Sequence, residues 1–217
     1  MAPDIKFCGL TRSIDAQIAA ELGARYVGVI FAGGPRQRTV DHAAAVLAGL
    51  PSNVKRVGVF GRQSPEEVAS VAVTLGLDVV QLHDRGDPSS VAELRKRTSA
   101  EIWSAIRISR GFLPENSKAI AATADGVVLD AHVEGILGGT GVALPWEELA
   151  DQLDSLRSTR LILAGGLKPE NVARAIALVA PDVVDVSSGV EVEVGIKDRE
   201  RMRAFRDAAT QAFIPTQ

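Results

Sequence analysis

The sequence predicts an α/β fold, a single (β/α)8 TIM barrel over residues 1–217, from three observations. Short β-branched runs alternate with helical patterns along the whole chain, the signature of a parallel sheet covered by helices. The strand-like runs number eight. The turn after the first of them, Gly9-Leu10-Thr11-Arg12, lacks the glycine-rich loop of an open doubly wound sheet, a fold that usually has only about five or six strands.

The strands begin near Ile5, Tyr26, Lys55, Val79, Glu101, Gly126, Arg160 and Val183, so the repeating unit is 21 to 34 residues long and the longest gap follows the sixth strand. In the first helical stretch, Ile14, Ile18 and Leu22 recur at i+4 and predict the buried face, and Gly23 ends the helix. Ser64-Pro65-Glu66-Glu67 combines an N-cap, a proline at N1 and an N3 glutamate, and Lys168-Pro169-Glu170-Asn171 again puts proline at a helix start. Trp146 is expected to anchor the helix that follows it by core packing. Asp198 to Phe213 predicts a charged amphipathic helix over the seam between strands eight and one. With no linker rich in Gly, Ser or Pro, one domain is the simplest account.

At 46% hydrophobic the chain can bury a full core. A net charge of −3 without a basic block lacks the footprint of a nucleic-acid binder, which leaves a small molecule as the expected partner. One cysteine cannot form an intrachain disulfide, and no apolar run spans a bilayer or forms a signal segment, so a soluble cytoplasmic protein is expected. Monomer and homodimer both remain open.

In such a barrel the strand C-terminal ends and the loops after them form the active site. That filter retains Cys8, which ends Ile5-Lys6-Phe7-Cys8, and Asp130, which ends Gly126-Val127-Val128-Leu129-Asp130. A thiol and a carboxylate facing each other across one pocket suit proton transfer. A carboxyl after four uncharged residues is costly to ionise, and a raised pKa would suit a general acid; the bland alternative is a carboxylate capping the next loop. An isolated cysteine is usually a buried small hydrophobe, and with a pKa near 8.5 only about 3% is thiolate at pH 7. Base catalysis by Cys8 therefore needs a nearby positive charge, and Lys6 is read as pointing the opposite way along the strand, which leaves that source unassigned. His83 ends the fourth strand and orients substrate or satisfies local hydrogen bonds. Arg36 offers a planar fork suited to a carboxylate, against the alternative of a solvated loop arginine.

Strand seven ends in Leu163-Ala164-Gly165-Gly166-Leu167 and strand eight in Val186-Ser187-Ser188-Gly189-Val190. The loops after these two strands often build a phosphate site, where glycines let backbone N–H groups approach the oxygens. Either alone could be a tight turn with local caps; together, in the two expected loops, they point to a phosphorylated substrate.

Lys6-Phe7-Cys8-Gly9, Pro35-Arg36, Val80-Gln81-Leu82-His83, Leu129-Asp130, Gly138-Gly139-Thr140-Gly141, Leu163-Ala164-Gly165-Gly166-Leu167, Pro169-Glu170-Asn171-Val172 and Asp185-Val186-Ser187-Ser188-Gly189-Val190-Glu191 run in order along the chain. As a joint pattern they resemble the phosphoribosylanthranilate isomerase family. The resemblance implies an Amadori rearrangement in tryptophan biosynthesis that needs no cofactor and no metal. It implies that Asp130 is the general acid, that Cys8 is the base that removes the C2 proton, and that Arg36 holds the anthranilate carboxylate. Gly139, Gly165, Gly166, Ser187, Ser188 and Gly189 are expected in substrate binding, with His83 on the substrate side.

Two departures from the family pattern stand out. His83-Asp84 replaces the common His-Gly and adds a negative charge near the pocket rim, and Gly33-Gly34 stands where a serine usually precedes Pro-Arg, which predicts a more flexible loop. The related isomerase of histidine biosynthesis, or a dual-substrate barrel, would carry an aspartate in place of Cys8 and a second phosphate loop. A non-catalytic phosphate sensor would lack the acid or the base. The glycine-rich segment from His132 to Leu144 is expected to be a lid that excludes water.

Overall fold

The computed structural model describes residues 2–84, 86–108, 111–131 and 146–212; the expected lid, Gly139 and Phe213 lie outside them. Eight parallel strands form a closed ring: β1 (Asp4–Phe7), β2 (Tyr26–Ile30), β3 (Lys55–Phe60), β4 (Val79–Leu82), β5 (Glu101–Ile108), β6 (Gly126–Ala131), β7 (Arg160–Leu163) and β8 (Val183–Val186). Seven begin at the residue read from sequence, and β1 begins one earlier. The ring closes where Lys6 of β1 pairs in register with Asp185 of β8. Helices α1 (Ser13–Glu21), α2 (Val40–Leu47), α3 (Pro65–Leu75), α4 (Pro88–Arg95), α5 (Ser117–Ala121), α6 (Trp146–Ala150) and α7 (Val172–Val179) follow the first seven strands, and α8 (Arg199–Gln211) ends the described fold.

Because both faces of each strand are covered, the runs read as nearly continuous apolar sequence rather than as alternation. One core lies between strands and helices. A second fills the barrel with Tyr26, Val57, Val79, Trp103, Val128, Ile162, Ala164 and Val183. Trp103 meets Tyr26 edge-on at 4.9 Å between centroids, a geometry that adds about 0.5–1.5 kcal/mol beyond burial. Gly126 makes room for it, since a β-carbon there would lie 2.9 Å from both Trp103 and Ile162. At the N-terminal end Glu101 is clamped between Lys55 and Arg160, each 2.5 Å away. The open end is therefore the C-terminal one.

The local signals act as their chemistry dictates. Ser64 and Glu67 form a reciprocal capping box at the start of α3. Gly23 takes φ +79°, and the N–H groups of Gly23 and Ala24 reach back to Ala20 and Ala19, which stops α1. The buried face of α1 is a correction: Ile14 is exposed, and the face runs through Asp15, Ala16, Ile18, Ala19 and Leu22. Asp15 turns that face inward because it binds Arg12 and the backbone N–H of Lys197. Pro169 lies in a turn rather than in a helix. Asn171 accepts from the Lys168 N–H and donates to the Gly166 carbonyl, so α7 starts only at Val172.

Trp146 is buried in the outer core at the start of α6, as its sequence context suggests. Helix α8, capped by Asp198, packs beside both α7 and α1 and sets Phe205 edge-on against Phe7 of β1, so it does cover the seam. A short antiparallel hairpin, β9 (Glu191–Glu193) and β10 (Ile196–Lys197), connects β8 to α8 and was not foreseen.

Candidate active site

Side chains two apart on a strand share a face. At the C-terminal ends this parity brings Cys8, Gln81, His83, Asp130, Asp185 and Ser187 onto the wall of one pocket of about 510 Å³. The loops after β2, β7 and β8 supply Arg36, Gly165, Gly166 and Ser188. Gly189 lies just behind the wall, where a β-carbon would fall 2.0 Å from the Leu167 carbonyl oxygen; only glycine permits the loops after β7 and β8 to touch there. Gly139 lies outside the described residues.

Cys8 is buried and Asp130 nearly so, with 13% of its side chain exposed. His83 Nε2 stands 4.0 Å from Asp130 Oδ2. Burial, with the Arg107 cation behind it, lowers the His83 pKa to about 4, so the imidazole is neutral at neutral pH. Asp84, one of the two departures, pairs closely with Arg107 at the end of β5, so its charge reaches the rim already compensated. The other departure has a conformational reason: Gly33 and Gly34 take φ of +99° and +85°, a region that side chains avoid.

The reading of Lys6 is corrected. Residues 6 and 8 share parity, so Lys6 points into the barrel with Cys8, not away from it. Its ammonium is fully buried, 2.6 Å from Asp185 Oδ2 and 3.0 Å from Gln81 Oε1. Burial acts to lower the Lys6 pKa, but the Asp185 carboxylate and the Cys8 sulfur together outweigh it and hold it above its ordinary value. Burial pushes the Cys8 thiol up; Lys6 opposes this, Asp185 reinforces it, and Lys197 acts with Lys6.

Arg36 is not a free fork. Its Nε and Nη2 donate to the two oxygens of Glu191 at 2.8 and 2.6 Å. Lys197 Nζ reaches the same carboxylate at 2.8 Å and the Ser187 carbonyl at 3.0 Å. Burial acts to raise the Glu191 pKa, but these two cations bring it below the usual carboxylate range.

Lys6, Gln81, Asp185, Glu191 and Lys197 are the buried polar residues that the sequence reading missed as parts of the site. The first three carry a signal, since each lies two positions from a chosen residue on the same strand. Glu191 closes the Asp185–Glu191 motif, but no spacing brings it or Lys197 into the site, because only the unforeseen hairpin places them there. Gly165 and Gly166 take φ of +80° and +66°, a 3₁₀ turn at Ser188–Val190 follows β8, and both loops border the pocket.

Among the described residues no helix is long and apolar enough to cross a membrane. Residues 5–208 match the family described as N-(5′-phosphoribosyl)anthranilate (PRA) isomerase. An N-(5′-phosphoribosyl)anthranilate isomerase of Pseudomonas fluorescens is 42% identical, covering 94% of this chain and 96% of that protein. The crystal structure of phosphoribosyl anthranilate isomerase from Thermotoga maritima superposes with a TM-score of 0.87 at 32% identity, over 96% of this chain and 99% of the other. A phosphoribosyl anthranilate isomerase solved in complex with reduced 1-(o-carboxyphenylamino)-1-deoxyribulose 5-phosphate superposes with a TM-score of 0.84 at 31% identity, over 96% and 99%. The sequence match and the closed barrel agree: the chain belongs to the N-(5′-phosphoribosyl)anthranilate isomerase family and is an isomerase of tryptophan biosynthesis.

Proposed function

We propose that Asp130 is the general acid and Cys8 the general base in the conversion of N-(5-phosphoribosyl)anthranilate to 1-(2-carboxyphenylamino)-1-deoxyribulose 5-phosphate. The observation that carries this assignment is the pairing of a thiol from the end of β1 with a carboxylate from β6 on the wall of one pocket. Asp130, in its acid form, protonates the furanose ring oxygen, and the C1–O bond breaks to leave an iminium. The iminium nitrogen acidifies the C2–H bond, so a base as mild as a thiolate can remove that proton and give an enolamine. Tautomerisation adds a proton at C1 and removes one from the C2 hydroxyl. Product and substrate are isomers, and the enzyme recovers its starting protonation.

The neutral His83 offers a hydrogen-bonding group beside Asp130 without a competing positive charge. Arg36 meets the anthranilate carboxylate with the donors that Glu191 leaves unused. Gly165, Gly166, Ser187 and Ser188 hold the phosphate, and Gly189 keeps the two loops in contact. A relative's complex with the reduced product analogue supports a ligand of this class in this pocket. We further propose a single domain that works in the cytoplasm on this small phosphorylated molecule, with no nucleic-acid partner, as a monomer or homodimer; a relative from Thermotoga maritima is described as dimeric.

The test is to supply phosphoribosylanthranilate to the purified protein and follow loss of its anthranilate fluorescence. Decay at a rate proportional to enzyme concentration is expected. Folded protein that fails to convert it would overturn the assignment.

A further inference from the structure

A buried thiol is a poor base, and burial is the largest influence on Cys8. Something within the barrel must favour its ionised form. The charged and titratable groups around it come from several elements: Lys6 from β1, Asp185 from β8, Lys197 with Glu191 from the hairpin, Arg36 from the loop after β2, and Asp130 and neutral His83 from β6 and β4. Lys197 and Arg36 share one counter-ion, Glu191, above the thiol's neighbourhood.

Lys6 differs from those two cations in where it stands, since Lys197 is equally buried against Glu191 and the Ser187 carbonyl. Lys6 lies two residues from Cys8 on the same strand and points to the same face. It is fully buried, and two fixed partners, Asp185 at 2.6 Å and Gln81 at 3.0 Å, hold its ammonium. Across the sheet Gly28 contributes no side chain. A β-carbon placed on it would stand 2.9 Å from Cys8 Sγ and 3.4 Å from Lys6 Cε, so both side chains border the single space that this glycine leaves open. The fully buried ammonium therefore cannot swing away to solvent.

Building on Cys8 as the base, we propose that Lys6 is the positioning residue that makes the thiol competent, its fixed ammonium stabilising the thiolate while Asp185 and Gln81 hold it in place. The balance is simple. Cys8 releases its S–H proton to solvent through the open pocket before substrate seals it, and Lys6 keeps all its protons throughout. The thiolate then accepts the substrate C2 proton. Asp185 plays two opposed parts, since it orients the ammonium and also repels the thiolate.

That opposition supplies a test that a merely structural role would not pass. Cys8 is the only cysteine in the chain, so thiolate absorbance in the ultraviolet, taken as a difference against Cys8→Ala, reports one group. Lys6→Met is expected to move the titration midpoint upward by about one pH unit or more, which is about tenfold less thiolate at neutral pH. Asp185→Asn is expected to move it downward, and Lys6→Arg to leave it nearer the wild-type value than Lys6→Met does. The acid limb of the kcat/KM profile should follow in the same directions.

Should Lys6→Met fail to fold with Asp185 left unpaired, the Lys6→Met, Asp185→Asn double variant replaces it. Its midpoint should lie above that of Asp185→Asn alone. Midpoints unmoved by removal of the lysine, or moved the same way by both single substitutions, would overturn the proposal. Absorbance reads the thiol without turnover, so this failure is distinct from an inactive wild type or an active Cys8→Ala, either of which would instead remove Cys8 as the base.

Discussion

Arg36 and Glu191 lie 155 positions apart and are joined by two hydrogen bonds, at 2.8 and 2.6 Å, with the same glutamate also held by Lys197. The arginine expected to recognise a carboxylate on the substrate thus already rests on a carboxylate of the protein. A fork fixed in this way loses little freedom when it binds, which favours recognition over a loose loop arginine. Glu191→Gln should raise KM roughly tenfold while changing kcat much less. Two cations would then face a neutral amide, so Tm should fall by about 5 °C. Steady-state kinetics and a thermal melt check both. An unchanged KM would mean that Glu191 serves stability alone.

Cys8→Ala and Asp130→Asn should each lower kcat by about 100-fold or more while leaving the circular dichroism spectrum and binding of inorganic phosphate intact. The two losses should not multiply in the double variant, since acid and base act in one sequence. Near-normal turnover in either single variant removes that residue from the chemistry.

Gly189→Ala tests the junction of the two loops. The new β-carbon would meet a backbone oxygen, which cannot rotate away as a side-chain tip can, so the loops after β7 and β8 must part. A stability loss of about 1–3 kcal/mol is expected. Competitive inhibition by inorganic phosphate should weaken by about tenfold in the same variant. A loss of stability with unchanged phosphate inhibition would separate the packing role from the binding role.

The neutral state of His83 predicts an acid sensitivity of definite sign. Its pKa is about 4 in the folded protein against 6.5 when unperturbed. As pH falls through 6.5 the unfolded chain takes up the proton first, so stability declines down to about pH 4 and the decline then ends. The loss from this residue is at most about 3 kcal/mol. Chemical denaturation at a series of pH values should show His83→Gln losing less stability than wild type across that interval. Parallel curves would mean that the imidazole is charged or exposed in the folded state.

The barrel was legible because each strand is a short β-branched run closed by a turn, and the helix punctuation at Ser64 and Gly23 follows from backbone groups that local side chains must satisfy. The face of α1 was misread because apolar spacing favours Ile14, whereas the packing takes Asp15 inward to meet Arg12 and Lys197. Lys6 was misplaced by reading it as pointing the opposite way along the strand from Cys8. Strand parity, which puts Lys6 with Cys8, is the constraint that decides its side in a partly polar barrel interior. Glu191 could not be found from spacing, because its partners at 36 and 197 meet only through the β9–β10 hairpin.

The register pair Lys6 and Asp185 also bears on how function arises during folding. These residues are 179 positions apart, on the first and last strands of the ring. A chain still lacking β8 leaves the lysine beside the thiol without its carboxylate and the phosphate loops without Ser187 and Ser188. The chemistry therefore belongs to no fragment of the sheet. Recovery of turnover during refolding reports the joining of the two chain ends, and it should lag any signal that follows the middle strands alone.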